Sequence, residues 1–271
     1  MAWAQTSLPA EALVEAGRGN FVDYFRAMSQ GTGTLRLVEE HGVCYVHGAI
    51  PHPIVNMVLA VRGRVEAHQV QAVAAGFRWH ARVPYWVLWP GEVDGELQEL
   101  LSGQGFRPHS HSTCMARELT WEPLGAALPV GLELRRVTDT ADLQSLGRVW
   151  ETVFGLTGEI LTESLACWGG ANLRHDAPAR HYLGTVQGEA VACSTLVCGA
   201  GVAGVYGVGT NAGHRRRGIG TAMTLAALRA ARVMGCRTAV LQATAQGLPV
   251  YAKLGFVPYG NRAIYRLDPV T

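Results

Sequence analysis

In the C-terminal part of the chain, apolar residues are spaced as in a strand in some segments and as in a helix in others. Runs of β-branched residues predict strands, and apolar residues spaced three and four apart predict helices. The predicted strands are Leu132–Val137, Arg180–Val186, Ala190–Val197, Val202–Thr210, Thr238–Ala243 and Phe256–Leu267, the last as one strand or a pair of strands. The predicted helices run from Thr138 or Asp139 to about Phe154, over Ile160–Cys167, from about Gly218 to Met234, and over Pro249–Leu254. This order of elements predicts a mixed α/β domain.

The N-terminal part has a similar but less regular pattern. It predicts helices at Glu11–Ala16, Phe21–Met28, Val65–Ala75 and Glu96–Leu101, and strands at Thr34–Val38, Val43–His47, Val55–Val61, Tyr85–Leu88 and Cys114–Leu119. Both parts end on a strand, a short helix, a Gly-Phe pair and a strand, which suggests a diverged internal duplication. The segment Glu122–Gly131 contains two Pro and two Gly and is typical of a linker. We therefore expect two α/β domains with a mixed sheet, at residues 1–122 and 132–271, joined by residues 123–131.

Composition and charge narrow the class of protein. Hydrophobic residues make up 48% and charged residues 16%, which excludes a disordered chain and a coiled coil. The net charge of +2 hides an asymmetry, because residues 190–271 contain nine basic residues and one acidic residue, Asp268. A basic, Gly-rich segment suggests an anionic ligand. The alternative is chance in an Arg-rich sequence, since Lys253 is the only Lys among 23 basic residues.

Targeting signals and cysteine spacing predict a cytoplasmic protein. The six Cys form no CxxC pair, which is typical of free thiols in a reducing compartment. The chain does not open on a basic segment followed by an apolar one, so we expect no signal peptide. The uncharged stretch from Ala190 to Gly213 is long enough for a membrane helix, but six Gly interrupt it. Two buried strands and a tight turn explain it better, and no membrane partner is expected.

The segment with the most chemical information follows the strand Val202–Thr210. Three consecutive Arg, Arg215–Arg217, precede Gly218 and Gly220, and a helix then begins. Helix N-termini carry unpaired N–H groups and positive dipole charge, Gly lets a phosphate approach the backbone, and Arg matches phosphate oxygens. The string GxxxxGK[ST] of a P-loop is absent, and a dinucleotide site would need an acidic residue about 20 positions later, where none exists. A solvated basic turn is the remaining alternative.

The pattern Arg215-x-x-Gly218-x-Gly220 resembles the acyl-CoA signature of the GNAT superfamily of N-acyltransferases, Q/R-x-x-G-x-G/A. The downstream Tyr251-Ala-Lys-Leu-Gly255-Phe256 resembles the family's closing Tyr-x-x-x-Gly-Phe, and the predicted strand order agrees with that fold. The resemblance covers about residues 132–268. The N-terminal part resembles a degenerate copy without the signature, so a second CoA site is not expected.

The resemblance implies acetyl-CoA as co-substrate and transfer of its acetyl group to an amine of unknown identity, a small molecule or a peptide. Backbone groups at Val208 and Thr210 would hold the pantetheine arm and the acyl carbonyl. Tyr251 would protonate the leaving thiolate, and its phenol suits this because its ordinary pKa is about 10. No placed nucleophile suggests a covalent intermediate, so direct attack in a ternary complex is expected. The backbone N–H groups that would cradle the pyrophosphate belong to Arg215, Arg216, Arg217, Gly218, Ile219, Gly220 and Thr221.

Two departures from the family pattern leave the general base open. Thr244 stands where many relatives carry an Asn that contacts the cofactor, and the strand Val202–Thr210 contains no carboxylate. The base would be a water chain or a residue from the first half of the domain, although a residue of this kind is more often an ordinary surface residue. These candidates are Glu159, Glu163, His175, Asp176 and His181.

Other features carry alternatives. His109 and His111 share one strand face, but no third metal ligand is evident, so no metal is expected. Trp79, Trp86 and Trp89 could pack in the core or line an acceptor pocket.

A non-catalytic acyl-CoA sensor or a nucleic-acid-binding module is the alternative to an enzyme, although nucleic-acid binding normally needs a wider basic stripe. The N-terminal domain would shape the acceptor pocket or form an oligomer contact such as a homodimer, and the acidic balance of residues 1–189 favours a cationic acceptor.

Overall fold

Eleven strands form one mixed sheet in the computed structural model, which describes residues 8–40, 42–63, 65–79, 84–93, 95–120 and 127–267, with Arg78 and Trp79 as backbone alone. The strands are β1 Arg36–Glu40, β2 Val43–His47, β3 Asn56–Val61, β4 Tyr85–Leu88, β5 Phe106–Glu118, β6 Leu132–Arg136, β7 Ala179–Val186, β8 Glu189–Gly199, β9 Val202–Thr210, β10 Thr238–Ala243 and β11 Val257–Leu267. The helices are α1 Ala10–Ser29, α2 Ala67–Trp79, α3 Glu96–Gly103, α4 Thr140–Phe154, α5 Gly158–Trp168, α6 Ile219–Val233 and α7 Leu248–Lys253. The expected α/β class with a mixed sheet is confirmed.

The last strand of each half of the chain lies in the other half's part of the sheet. The strand order is β1-β2-β3-β4-β11-β5-β10-β9-β8-β7-β6. Strand β11 pairs with β4, and β5 pairs with β10, in both cases antiparallel. The two exchanged strands also pair with each other from Phe106 opposite Leu267 to Ala116 opposite Val257. Residues 121–126, which include the first four residues of the expected linker, lie outside the described part of the chain.

Local sequence signals determine the C-terminal elements. The carboxylate of Asp139 accepts a hydrogen bond from the N–H of Asp142 at 2.8 Å and caps α4, and Gly155 ends that helix with a φ of 69°. Gln187 and Gly188, with φ of 52° and 81°, form the two-residue turn between β7 and β8. The predicted helices and strands of this part are confirmed to within two residues at each end, and β11 is a single strand.

The prediction of two separate helices at Glu11–Ala16 and Phe21–Met28 is wrong, because α1 is continuous from Ala10 to Ser29. The intervening Gly17 and Gly19 break the apolar pattern but allow close packing. A Cβ at Gly17 would lie 2.5 Å from the Tyr259 hydroxyl, and one at Gly19 would lie 2.8 Å from Ala200 Cβ. Tertiary contact therefore outweighs the low helix propensity of Gly here. Strand β5 also begins eight residues earlier than predicted, at Phe106.

Helices cover both faces of the sheet. Helices α1, α4 and α5 pack on one face around a core that includes Phe25, Leu146 and Trp168. Helices α6 and α7 pack on the opposite face around Met223, Leu228 and Phe256, and α2 and α3 cover the remaining part of that face. The sheet thus separates α1 from α6, and strand β9 lies between them.

The uncharged stretch from Ala190 to Gly213 forms most of β8 and all of β9, as predicted. None of the helices in the described part of the chain has the length and apolar character needed to cross a bilayer. The six Cys are free thiols, of which Cys198 and Cys236 are half-buried and the others are buried.

Candidate active site

The turn between β9 and α6 brings the predicted anion-binding residues together. Arg216 and Gly218 have φ of 62° and 78°, and Gly218 is the residue immediately before the helix. The Arg215 Nε donates a 3.0 Å hydrogen bond to the carbonyl of Thr210 at the end of β9. Arg215 and Thr210 therefore support the turn, while the side chains of Arg216 and Arg217 are exposed.

Backbone donors are free at the start of α6. Within the described residues, the N–H groups of Gly218, Ile219, Gly220 and Thr221 donate to no carbonyl or side chain, and Arg216 and Arg217 have no side-chain partner. The helix dipole adds positive charge at this point. Gly218 has a left-handed backbone conformation, which is unfavourable for a residue that carries a Cβ, so Gly is needed there. This geometry suits an anion such as a phosphate group.

An opening in the sheet lies beside this turn. Strands β9 and β10 are parallel and pair only at Ala203 with Ala239 and at Gly204 with Val240. From there to Thr210 the edge of β9 that faces β10 has no strand partner. A β-bulge at Gly207, with φ of 54°, adds one residue to β9 between its pairs with Thr195 and Cys193. The unpaired edge and the bulge leave backbone groups around Val208 available to a ligand that enters the opening.

Tyr251 lies on α7, which follows β10, and its side chain packs against the same core as Val208. A Cβ on Gly247 would lie 2.9 Å from the Tyr251 ring, and the ring meets Phe256 edge-on at 6.0 Å. Burial raises the pKa of Tyr251 to about 12, so the phenol stays protonated at neutral pH. The hydroxyl of Thr244 accepts a 3.2 Å hydrogen bond from the Gly247 N–H at the start of the helix.

Four of the five candidate general bases are either exposed or bonded to other residues. The Glu163 carboxylate accepts hydrogen bonds from the N–H and hydroxyl of Thr34 at 2.6 and 2.7 Å and holds α5 to the N-terminal half. Asp176 is exposed and pairs with Arg174 at 3.1 Å. Glu159 and His175 are exposed.

The fifth candidate, His181, is buried beside the site. Its Nδ1 shares a 2.8 Å hydrogen bond with the Thr195 hydroxyl, and its Nε2 has no described partner. Burial, reinforced by the charge of Arg136, lowers the pKa of His181 to about 3. His181 is therefore neutral at physiological pH, and its ring positions Thr195.

An apolar pocket of about 240 Å³ lies between α1, α4 and α5 and reaches the bulge at Gly207. Its aromatic lining comes from both halves of the chain, with Tyr24 from α1, Trp150 and Phe154 from α4 and Trp168 from α5. The sequence analysis missed these four residues. The only sign of a pocket in the sequence is that these residues lie on helices in the first part of each half. Contact between the halves is not visible in a sequence.

The other tryptophans and histidines lie elsewhere. Trp86 and Trp89 are fully buried in the core, and the side chain of Trp79 lies outside the described residues. His109 stacks on Tyr85 and shares a 2.8 Å hydrogen bond with its hydroxyl. Among the described residues, no three His, Cys, Asp or Glu side chains are grouped as metal ligands would be.

Comparisons with known proteins agree with this geometry. Residues 150–256, which contain β9, the turn, α6 and Tyr251, match the model of the Acetyltransferase (GNAT) family. No curated protein matches the sequence significantly.

Solved structures have the same fold over nearly the whole chain. A GCN5-related N-acetyltransferase from Kribbella flavida is 20% identical with a TM-score of 0.68, covering 93% of this chain and 97% of that one. A GCN5-related N-acetyltransferase from Sphaerobacter thermophilus is 17% identical with a TM-score of 0.60, covering 85% and 82%. A tandem GNAT protein from the clavulanic acid biosynthesis pathway is 16% identical with a TM-score of 0.59, covering 97% and 98%.

Proposed function

Because residues 150–256 match the model of the GNAT acetyltransferase family, we propose that the protein transfers an acetyl group from acetyl-CoA to an amine by direct attack in a ternary complex. At the general level the chain is an acyl-CoA-dependent N-acyltransferase. The acetyl group, the order of events and the residue roles are our proposal.

The turn before α6 carries the proposal. Four consecutive free N–H groups, from Gly218 to Thr221, lie beside the opening between β9 and β10. Backbone donors at a helix N-terminus suit the pyrophosphate of CoA, and the exposed Arg216 and Arg217 add positive charge nearby. A pantetheine arm that starts at this turn can follow the unpaired edge of β9 toward the bulge at Gly207.

The backbone at the bulge is assigned to stabilise the reacting carbonyl. The amine nitrogen attacks the thioester carbon, so a C–N bond forms, the C–S bond breaks and negative charge develops on the carbonyl oxygen. A fixed N–H of Val208 stabilises that charge more than mobile water does. The bulge supports this assignment because it leaves extra, unpaired backbone on β9.

Tyr251 is assigned as the acid that gives its proton to the leaving sulfur. Burial keeps its phenol protonated, and the residue lies on the first helix after β10. The amine loses one proton in the reaction. Among the described residues that line the pocket there is no carboxylate to take it, so we assign this step to water at the opening, with the Thr195 hydroxyl as a hydrogen-bond partner.

Calorimetry with acetyl-CoA tests the binding site. We expect the wild type to bind, and Arg216→Glu plus Gly218→Asp to lose binding, since negative charge and a strained backbone enter the cradle. Arg237→Glu is the control charge reversal, because Arg237 is exposed in the connection between α6 and β10, beyond the far end of the helix. The proposal fails if the wild type does not bind acetyl-CoA or if the double variant binds as well as Arg237→Glu does.

An acceptor screen tests the reaction itself. Purified protein and acetyl-CoA are incubated with a panel of primary amines, and the free thiol of CoA is measured. We expect amine-dependent release of thiol and a product heavier by one acetyl group. Thiol release without acetylated amine would indicate thioester hydrolysis and contradict the proposed transfer.

A further inference from the structure

The pocket beside Gly207 has a defined shape. Tyr24 and Trp168 meet at an interplanar angle of 67° with ring centroids 5.0 Å apart, and Trp168 lies 4.4 Å from the His181 ring at 88°. Such edge-to-face contacts hold aromatic rings in fixed positions. The pocket is therefore a preformed slot with rigid apolar walls.

The slot offers no negative charge to an ammonium group. None of the described residues that line it is Asp, Glu, Lys or Arg, and the hydroxyl-bearing residues among them are Tyr24, Ser164 and Thr195. The nearby carboxylate of Asp23 is paired with Arg26, and that of Glu163 is bonded to Thr34. The lining has no carboxylate for the several ammonium groups of a polyamine or an aminoglycoside. It favours an acceptor with a single amine and an apolar body over the polycations that the acidic balance of residues 1–189 suggested.

The volume limits the size of the ligand. At about 240 Å³ the slot is smaller than the roughly 300–1,000 Å³ typical of pockets for drug-sized ligands. An aminoglycoside does not fit inside it. A single ring with a short chain does, with its amine toward Gly207 and its ring against the aromatic lining.

We propose that the acceptor is a compact primary amine with an aromatic or similarly apolar body that fills the slot between Tyr24, Trp150 and Trp168. The inference rests on the proposed acetyl transfer for the reaction, but binding in the slot can be measured without it. Because Tyr24 comes from α1, the N-terminal half is part of the acceptor site.

The first experiment compares acceptors on the wild-type protein. We expect kcat/KM for 2-phenylethylamine to exceed that for spermidine and for kanamycin by at least tenfold, measured by release of CoA thiol. If spermidine or kanamycin is acetylated and 2-phenylethylamine is not, the slot inference is overturned while the proposed acetyl transfer stands.

The second experiment measures binding of 2-phenylethylamine by calorimetry without acetyl-CoA. Ile54→Trp places a large side chain in the slot, and we expect it to weaken amine binding at least tenfold while leaving acetyl-CoA affinity unchanged. Val233→Trp is the control, since Val233 is 88% exposed at the far end of α6. If the wild type fails to bind the amine, or if Ile54→Trp binds it as tightly as the control, the inference is wrong regardless of acetyl-CoA binding.

Discussion

The Tyr206 hydroxyl donates a 2.7 Å hydrogen bond to the side-chain oxygen of Asn20 and joins β9 to the N-terminal helix α1. The Asn20 amide nitrogen also donates to the carbonyls of Val197, Gly199 and Val202 at 3.0 to 3.1 Å. A Cβ on Gly204 would lie only 1.9 Å from Asn20 Oδ1, so this contact requires Gly at position 204. One buried amide thus fixes α1 over the strand that carries the bulge.

Removing this amide should destabilise the whole chain. Asn20→Ala leaves the buried Tyr206 hydroxyl and three carbonyls without that partner, and we expect a loss of about 2–4 kcal/mol in the free energy of unfolding. Urea denaturation followed by circular dichroism measures it. Asn261→Ala, at an exposed position of β11, should change the free energy by less than about 0.5 kcal/mol. Equal effects of the two variants would show that the Asn20 contacts contribute little.

At Gly218, the left-handed backbone conformation should restrict substitution more than the space available for a side chain does. Gly218→Ala forces a Cβ into a left-handed conformation at a cost of about 1–2 kcal/mol, and we expect acetyl-CoA to bind about tenfold more weakly. Gly213→Ala, in the same turn, is the control because Gly213 has no positive φ and a Cβ there would meet nothing within 4 Å. Calorimetry compares the two. Equal affinities would mean that the turn is not the phosphate cradle.

Loss of the Tyr251 hydroxyl should slow catalysis without weakening cofactor binding. For Tyr251→Phe we expect kcat to fall about 10²-fold or more, with an unchanged dissociation constant for acetyl-CoA. Because burial raises its pKa to about 12, the wild-type kcat should show no decline from Tyr ionisation up to about pH 10. Steady-state rates across this range provide the measurement. Unchanged turnover in the variant would exclude Tyr251 as the acid.

The buried His181 should make stability depend on pH below its ordinary pKa. The fold lowers that pKa from 6.5 to about 3, so the unfolded chain binds a proton that the native chain does not as pH falls through 6.5. The free energy of unfolding then falls by about 1.4 kcal/mol per pH unit, or about 2 kcal/mol by pH 5. His181→Gln, which can still bond to Thr195, should flatten this slope. The exposed His175→Gln should not, and denaturation midpoints from pH 5 to 8 compare them.

Cys198 and Cys236 should react with each other. Their sulfur atoms are 3.1 Å apart, and the neighbouring Cys198 lowers the pKa of Cys236, which favours the nucleophilic thiolate. Under a mild oxidant such as diamide we expect one intramolecular disulfide and a mass lower by two hydrogens, identified by peptide mapping. The buried Cys114, whose pKa burial raises to about 11, should stay reduced. Recovery of Cys198 and Cys236 as free thiols would contradict this prediction.

The sequence predicted the elements best where local chemistry determines them. Asp139 and Gly155 mark the ends of α4, and the paired turn residues Gln187 and Gly188 mark the hairpin of β7 and β8. The turn before α6 was visible for the same reason, because its Arg and Gly residues are close together in the chain. Helix α1 was divided wrongly because Gly17 and Gly19 serve a tertiary contact that a local pattern does not encode.

The pairing of distant strands and the apolar pocket beside Gly207 could not be predicted. Which strand lies beside β10 depends on contacts between residues more than 100 positions apart, such as Gln242 with Cys114. The pocket combines Tyr24 with Trp168 across a similar separation. Their apolar character alone predicts burial, and only the fold shows that they line a slot.

The exchange of β5 and β11 limits how this chain can recombine with its relatives. A crossover placed between the halves, at about residue 127, would pair β5 of one parent with β10 and β11 of the other. Ten cross-strand positions, from Phe106–Leu267 to Ala116–Val257, would then have to match between sequences that never evolved together. The segments that must come from one parent to complete the C-terminal half are therefore not continuous in the sequence. A functional chimera must carry β5 along with residues 132–271 from the same parent.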